Sequence, residues 1–202
     1  MTILLFGATG KTGSCIQALL QEQNVSYASF VRSSSQARPG DKIGDVRKPG
    51  DVREAMRGAS GIISALGTEG NGTLLAGTRH IIAAMVHYQL SRLVTIGTAG
   101  ILQSVAEPAL LRYQSSETRR TNHEAAKEHE QAYLALVHAP SVDWTIVCPT
   151  RLVQGQRTGA WREQADSLPE GGSQITFADT AAFAVAEYGA RKYVRQRVGI
   201  CE

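Results

Sequence analysis

The chain has 202 residues, 43% of them hydrophobic, and a formal net charge of +3, which suits one α/β domain with a large core and is too mild to suggest a nucleic-acid partner. Its three cysteines, Cys15, Cys148 and Cys201, are odd in number and lack C-x-x-C spacing, which argues against a disulfide framework and a zinc site. A strand begins at once at the N-terminus and no apolar run is long enough to cross a bilayer, so the expectation is a cytoplasmic protein with no signal peptide and no membrane partner.

The first element is an apolar strand, Leu4-Leu5-Phe6, running straight into Gly7-Ala8-Thr9-Gly10-Lys11-Thr12-Gly13. Ile16, Leu19 and Leu20 then fall at helical spacing, so the G-x-x-G-x-x-G sits between a strand and an amphipathic helix. A dinucleotide's pyrophosphate needs backbone N–H groups and a helix N-terminus aimed at it, with no side chain in the way. Gly7 permits the tight turn, Gly10 the close approach and Gly13 the packing of helix on sheet. Strand two, Val25 to Val31, ends in Arg32-Ser33-Ser34-Ser35. An NAD site expects an acidic residue here to accept from the ribose 2′-OH. A guanidinium beside hydroxyl donors instead suits a 2′-phosphate, so the cofactor expected is NADP(H) in preference to NAD(H), with Arg32 and Ser33 as its ligands.

A short third strand at Lys42–Gly44 leads into Asp45-Val46, and a helix follows over about 49–57. Strand four is Gly61 to Leu66, followed by a long helix whose face carries Leu74, Leu75, Thr78, Ile81, Ile82, Met85 and Val86. Strand five is Arg92 to Gly97, a polar helix covers roughly 118–137, and strand six is Trp144 to Cys148. A loop containing Gly155, Gly159 and Gly171-Gly172 precedes a short strand at Gln174–Thr176. Phe177-Ala178-Asp179 opens the last helix, and Val198–Ile200 reads as a closing strand. This alternation predicts a single-domain Rossmann architecture over residues 1–202: a doubly wound parallel sheet with helices on both faces.

Ligands bind such sheets at the C-terminal ends of the strands. Asp45 is placed to accept from the adenine amino group while Val46 packs on the ring. Ala65, Leu66 and Gly67 let the chain pass close to the ribose and nicotinamide. Gly97 and Thr98 end strand five beside the reaction centre. Pro149 and Thr150 end strand six, where a backbone amide is expected to fix the carboxamide and choose the hydride face.

GATGKTG, the arginine after strand two, GDV at Gly44–Val46 and the strand-six proline together resemble the atypical short-chain dehydrogenase/reductase group, which includes NmrA-like regulators. Within it, Ser64–Asn71, Arg79–Met85, Cys148–Trp161 and Ala178–Phe183 are similar to NADPH-dependent flavin reductase and biliverdin-IXβ reductase. The resemblance spans essentially the whole chain and implies a monomeric scaffold with a shallow acceptor site over the nicotinamide. The residues themselves leave a monomer or a small homo-oligomer open.

Ketone-reducing members of the wider family use a Y-x-x-x-K pair on the helix after strand five. Here that helix offers His123-Glu124-Ala125-Ala126-Lys127, and Tyr113 has Glu117 four residues on. His123 and Lys127 are therefore the candidate substitute acid and its modulator, beside Thr98; the alternative is a solvated polar face. Without a tyrosine donor, the favoured acceptors are planar and conjugated, because they delocalise the incoming charge. The loop from Ile101 to Arg120, which contains Tyr113, is expected to be either a lid over the acceptor or a partner-docking element, and Arg151 is the candidate for charge recognition at the acceptor pocket. Two functions stay open: a reductase of a flavin, quinone or similar molecule, and a dinucleotide-binding redox sensor without turnover.

Overall fold

Parallel strands covered on both faces read as unbroken apolar runs, and β1 (Ile3–Phe6) is buried along its whole length. Leu4 and Phe6 point into one hydrophobic layer, Ile3 and Leu5 into the other. The computed structural model describes residues 2–202. After β1 come α1 (Lys11–Glu22), β2 (Tyr27–Val31), β3 (Lys42–Ile43), α2 (Pro49–Ala55), β4 (Gly61–Ser64) and α3 (Thr73–His87). The second half contains β5 (Arg92–Ile96), α4 (Glu124–Val137), β6 (Asp143–Pro149), β7 (Arg151–Val153), β8 (Arg162–Ala165), β9 (Gln174–Thr176), α5 (Phe177–Ala190) and β10 (Gln196–Cys201).

Eight strands form one sheet in the order β3-β2-β1-β4-β5-β6-β10-β8. All neighbours are parallel except the β10–β8 pair. The core on one face takes Val52 and Met56 from around α2, Ile81 and Met85 from α3 and Leu136 from α4. The opposite core takes Ile16 and Leu20 from α1 with Phe183 and Ala184 from α5. Strand order reverses between β1 and β4, so the chain leaves these neighbours in opposite directions and opens a crevice at their C-terminal ends. This is the doubly wound Rossmann architecture with helices on both faces. Among the described residues no helix is long and apolar enough to cross a membrane.

Four differences from the sequence reading concern the second half. The segment after β6, expected as a loop, contains β7 and β8; β8 is the antiparallel edge. Its polar sequence, Arg162–Ala165, has no apolar alternation to announce it, because an edge strand is covered on one side at most. The strand at Gln174–Thr176 pairs with β7 in a separate two-stranded sheet rather than joining the main one. The C-terminal strand lies inside the sheet, between β6 and β8, and is not its last member. Finally, α4 starts at Glu124 rather than near 118: the Asn122 side chain accepts from the Glu124 N–H at 3.0 Å and turns the chain there.

One buried ion pair ties the sheet to α5. The side chains of Arg92 and Glu187 are 4% and 3% exposed and meet at 3.0 Å. All the guanidinium donors are used: Nε on the Tyr188 carbonyl, Nη1 on the Asp143 carbonyl and Thr145 Oγ1, and Nη2 on the Glu187 carbonyl and carboxylate. Glu187 also accepts from Thr145 Oγ1 and from the N–H groups of Lys192 and Tyr193. Removing one partner leaves the other charge buried and unpaired, which costs about 3–5 kcal/mol, whereas replacing both with apolar groups restores much of that. Glu187→Ala is therefore expected to lower the melting temperature by about 10 °C. The double variant Arg92→Met/Glu187→Leu should recover most of the loss, as read by thermal unfolding.

Candidate functional site

The turn after β1 is shaped by two contacts that no side chain could share. Gly7 has φ +74°, and a Cβ there would lie 2.4 Å from the Ala65 carbonyl oxygen at the end of β4. A Cβ on Gly13 would lie 2.0 Å from the Gly7 carbonyl oxygen. Both glycines thus allow α1 to seat directly against the β1 turn. Gly10 differs: an added Cβ would meet only the Gly7 oxygen, at 3.4 Å, and otherwise enters open space. Gly10 is the N-cap of α1 with no side-chain cap, and among the described residues the N–H groups of Lys11, Thr12 and Gly13 have no protein partner. An uncapped helix start facing open space carries partial positive charge and free donors, which suits a pyrophosphate.

A cavity of about 560 Å³ lies over this helix start. Gly7, Thr9, Gly10, Lys11 and Thr12 form its floor; Ala65, Leu66, Gly67, Glu69 and Thr73 come from the β4–α3 connection; Ile96 and Gly97 come from the end of β5. Leu152, His129 and Phe177 complete the wall. Ala8 is buried beneath the turn, and Lys11 places its ammonium 5.4 Å from the centre of the Phe177 ring. A smaller hollow continues from Gly7 and Thr9 past Val31, Arg32, Gln36, Asp45, Val46 and Arg47. Together they make a trough across the strand ends, long enough in residues to take both halves of a dinucleotide.

The outer hollow is rich in charge. Arg32 reaches Glu69 at 3.3 Å, and both side chains are well exposed. Arg47 grips Asp45 through Nε and Nη2, with the Asp45 carboxylate also accepting from the Arg47 backbone N–H. The guanidinium hydrogen bonds hold Asp45 down to about 2, so it is ionised at any working pH. Val46 is buried at the base of this hollow, and its carbonyl meets His80 Nδ1 at 2.8 Å. Ser33 caps a short 3-10 turn, accepting from the Ser35 N–H, and does not line either hollow.

Other expected site residues lie elsewhere. Thr98 caps the 3-10 turn at 99–101, where its oxygen accepts from the Gly100 N–H. The Thr150 amide, expected to face the carboxamide, is taken by the Ile200 carbonyl of β10 at 3.2 Å. What remains at that strand end is the Thr150 hydroxyl, buried without a partner, beyond Pro149 in β6. Arg151 turns to Gln174 at 2.6 Å. His123 is the N-cap of α4, with Nε2 on the Arg120 carbonyl, and Lys127 is paired with Glu124 at 2.8 Å. Neither lines the cavity. Tyr113 is buried and donates to Glu130, and none of the Ile101–Arg120 loop lines the cavity either. That loop is folded down by Ile101 and Leu102, both fully buried, and by a bridge between Gln103 and Leu111.

Residues that sequence reasoning missed take those places. Arg47 supplies a second guanidinium at the outer hollow. His129 enters the main cavity from α4, three and four residues before Ala132 and Tyr133 and seven before Leu136, at the head of the face that packs on the core. That periodicity was a usable signal, since a histidine leading an apolar stripe points where the stripe points. Leu152 and Phe177 arrive through the small sheet: Leu152 pairs with Ile175 in register, and α5 begins at Phe177 directly after β9. Asp179 fastens this corner. Burial would raise its pKa, but N–H donation from Gly159 together with Thr176 and Thr158 holds the carboxylate below its usual range.

Similar architectures recur among solved structures. The chain superposes with a TM-score of 0.88 on a provisionally named exported protein from Burkholderia pseudomallei, at 26% identity over 100% of both chains. A provisionally named NADH-flavin reductase from Streptococcus pneumoniae TIGR4 matches with a TM-score of 0.84 at 22% identity, over 100% of this chain and 99% of that one. An anaerobilin reductase from Escherichia coli O157:H7 matches with a TM-score of 0.82 at 23% identity, over 100% and 97%. With the uncapped helix start, the glycine cradle and the strand-end trough in place, and with the family model matched over residues 7–189, the chain belongs to the NAD(P)H-binding family.

Proposed function

We propose that this protein is an NADPH-dependent reductase whose acceptor is a planar conjugated molecule such as a flavin or a quinone. The observation that carries this reading is the trough itself, with a phosphate cradle and two arginines toward one end and a cavity walled by Leu66, Ile96, Leu152 and Phe177 at the other. Among the described residues no tyrosine lines that cavity. The two reductases of similar fold, named for flavin and anaerobilin, agree with such an acceptor.

Reduced nicotinamide dinucleotide, when bound, supplies two electrons and a proton as hydride. The chain's own part is to hold and orient. The α1 N-terminus and Gly10 receive the pyrophosphate, and Leu66, Gly67 and Gly97 bring backbone close to the ring-bearing half. The apolar part of the wall stacks against a flat acceptor, so proximity and orientation supply most of the rate. Arg32 and Arg47 take the 2′-phosphate. In the free protein Arg32 holds Glu69, but an exposed ion pair is worth about 0–1 kcal/mol. A charge-assisted hydrogen bond to phosphate is worth about 1.5–3 kcal/mol, so the phosphate displaces the carboxylate.

Arg32→Ala is expected to weaken NADPH binding about 10- to 100-fold while changing NADH affinity little, measured by titrating each cofactor. An unchanged preference would remove Arg32 from the phosphate site. Gly10→Val should fold, because its Cβ enters open space, yet bind no dinucleotide. Gly13→Val should fail to fold, because its Cβ would overlap the Gly7 carbonyl. Circular dichroism and cofactor titration separate these cases. Turnover itself is read from NADPH oxidation with FMN, a naphthoquinone and a linear tetrapyrrole. Oxidation with one or more of these acceptors supports the reductase; tight NADPH binding with no oxidation identifies a dinucleotide sensor instead.

A further inference from the structure

We propose that His129 is the group that recognises the acceptor, donating a hydrogen bond to a carbonyl oxygen conjugated with the reducible centre, so that the substrate class is conjugated carbonyl compounds such as quinones and flavins. The proposal rests on the reductase reading and narrows it.

His129 lies where β5 ends and α4 begins to pack on the core, facing the main cavity beside Ile96, Gly97, Leu152 and Phe177. Its other side borders a small void lined by Thr95, Ile101 and Tyr133, so the ring is held between the cavity and the core. His80, His123 and His138 each hold a backbone carbonyl. Among the described residues His129 has no hydrogen-bond partner in the protein. The residue is half-buried, so its unpartnered ring meets the open cavity and is free to pair with a ligand atom there. Burial also depresses the imidazole to about 4, which keeps it neutral at physiological pH with one N–H to donate.

A neutral donor in an apolar wall suits an oxygen that gains negative charge during reaction. Hydride adds to the conjugated centre, the electron pair it displaces moves onto the carbonyl oxygen, and the second proton comes from water. His129 keeps its own proton throughout and stabilises the oxygen by hydrogen bonding, most strongly when that charge develops. Lys11 and Glu69 are the charged side chains of the same cavity; Lys11 rests on the Phe177 ring and Glu69 is held by Arg32.

The test compares wild type with His129→Phe, which keeps bulk and removes the donor, and His129→Gln, which keeps a neutral N–H. Menadione binding is measured on protein saturated with NADP+, where no reduction occurs, and kcat is measured separately with NADPH. His129→Phe should weaken menadione binding about tenfold and lower kcat about 10- to 100-fold, with NADPH affinity unchanged within about twofold. His129→Gln should restore a large part of both. Wild-type behaviour in the Phe variant, or a Gln variant as impaired as Phe, overturns the donor role while leaving the reductase reading intact. A wild type that binds menadione but oxidises NADPH with none of menadione, FMN and the linear tetrapyrrole sinks the reductase reading alone, and the binding comparison still decides His129. A wild type that, saturated with NADP+, binds neither menadione nor FMN overturns the acceptor class proposed here.

Discussion

The carbonyl oxygen of Gly7 occupies the space that any side chain at Gly13 would need, and Gly7 in turn presses against the Ala65 carbonyl. That stack of three backbones, from β1 to α1 on one side and to β4 on the other, sets the geometry of the site. It fixes the axis of α1 so that its uncapped amides open into the crevice where strand order reverses. A helix displaced by even one methyl group would move those donors away from the crevice. The cavity, its apolar walls and the arginine-rich hollow all take their places relative to that contact.

Charge is distributed unevenly along the trough. Toward the outer end, Arg32 and Arg47 are already paired with Glu69 and Asp45. Paired in advance, the two guanidinium groups are held in place without being buried, and solvent makes the exchange of one anion for another inexpensive. The main cavity combines Lys11 and Glu69 with hydrophobic side chains and a largely buried, neutral imidazole. In the low-dielectric part of that wall, a single donor is worth more than several in water.

The second half of the chain shows how supporting structure serves the site. The β7–β9 pair contributes nothing to the main sheet, yet it delivers Leu152 and Phe177 to the cavity wall. Asp179, wholly buried, closes that corner by capping the loop at Thr158 and Gly159 as well as Thr176. Within the sheet, the Arg92–Glu187 pair locks α5 to β5 and β6, so the helix that begins at Phe177 is held at its other end as well.

By itself the sequence determined the sheet from β1 to β6, the helices between them and the glycine-rich turn after β1, because these depend on local signals. Leu4-Leu5-Phe6 reads as a doubly covered strand, and Gly13 is demanded by the Gly7 carbonyl six positions before it. Arg32 in place of an acid was equally legible, since it sits at a fixed offset from the glycines. Tertiary structure alone decided which polar residues face the cavity. His123 and Lys127 had a suggestive spacing, but the helix starts only after His123, where the Asn122 side chain turns the chain, and Glu124 takes the lysine. His129, Arg47, Leu152 and Phe177 come from separate elements that meet only when the chain is folded. Likewise, the Thr150 amide is lost to Ile200, a partner 50 positions away. Apart from the stripe position of His129, neither a short periodicity nor a motif reports such contacts, because their energy comes from segments distant in sequence and brought together by the sheet.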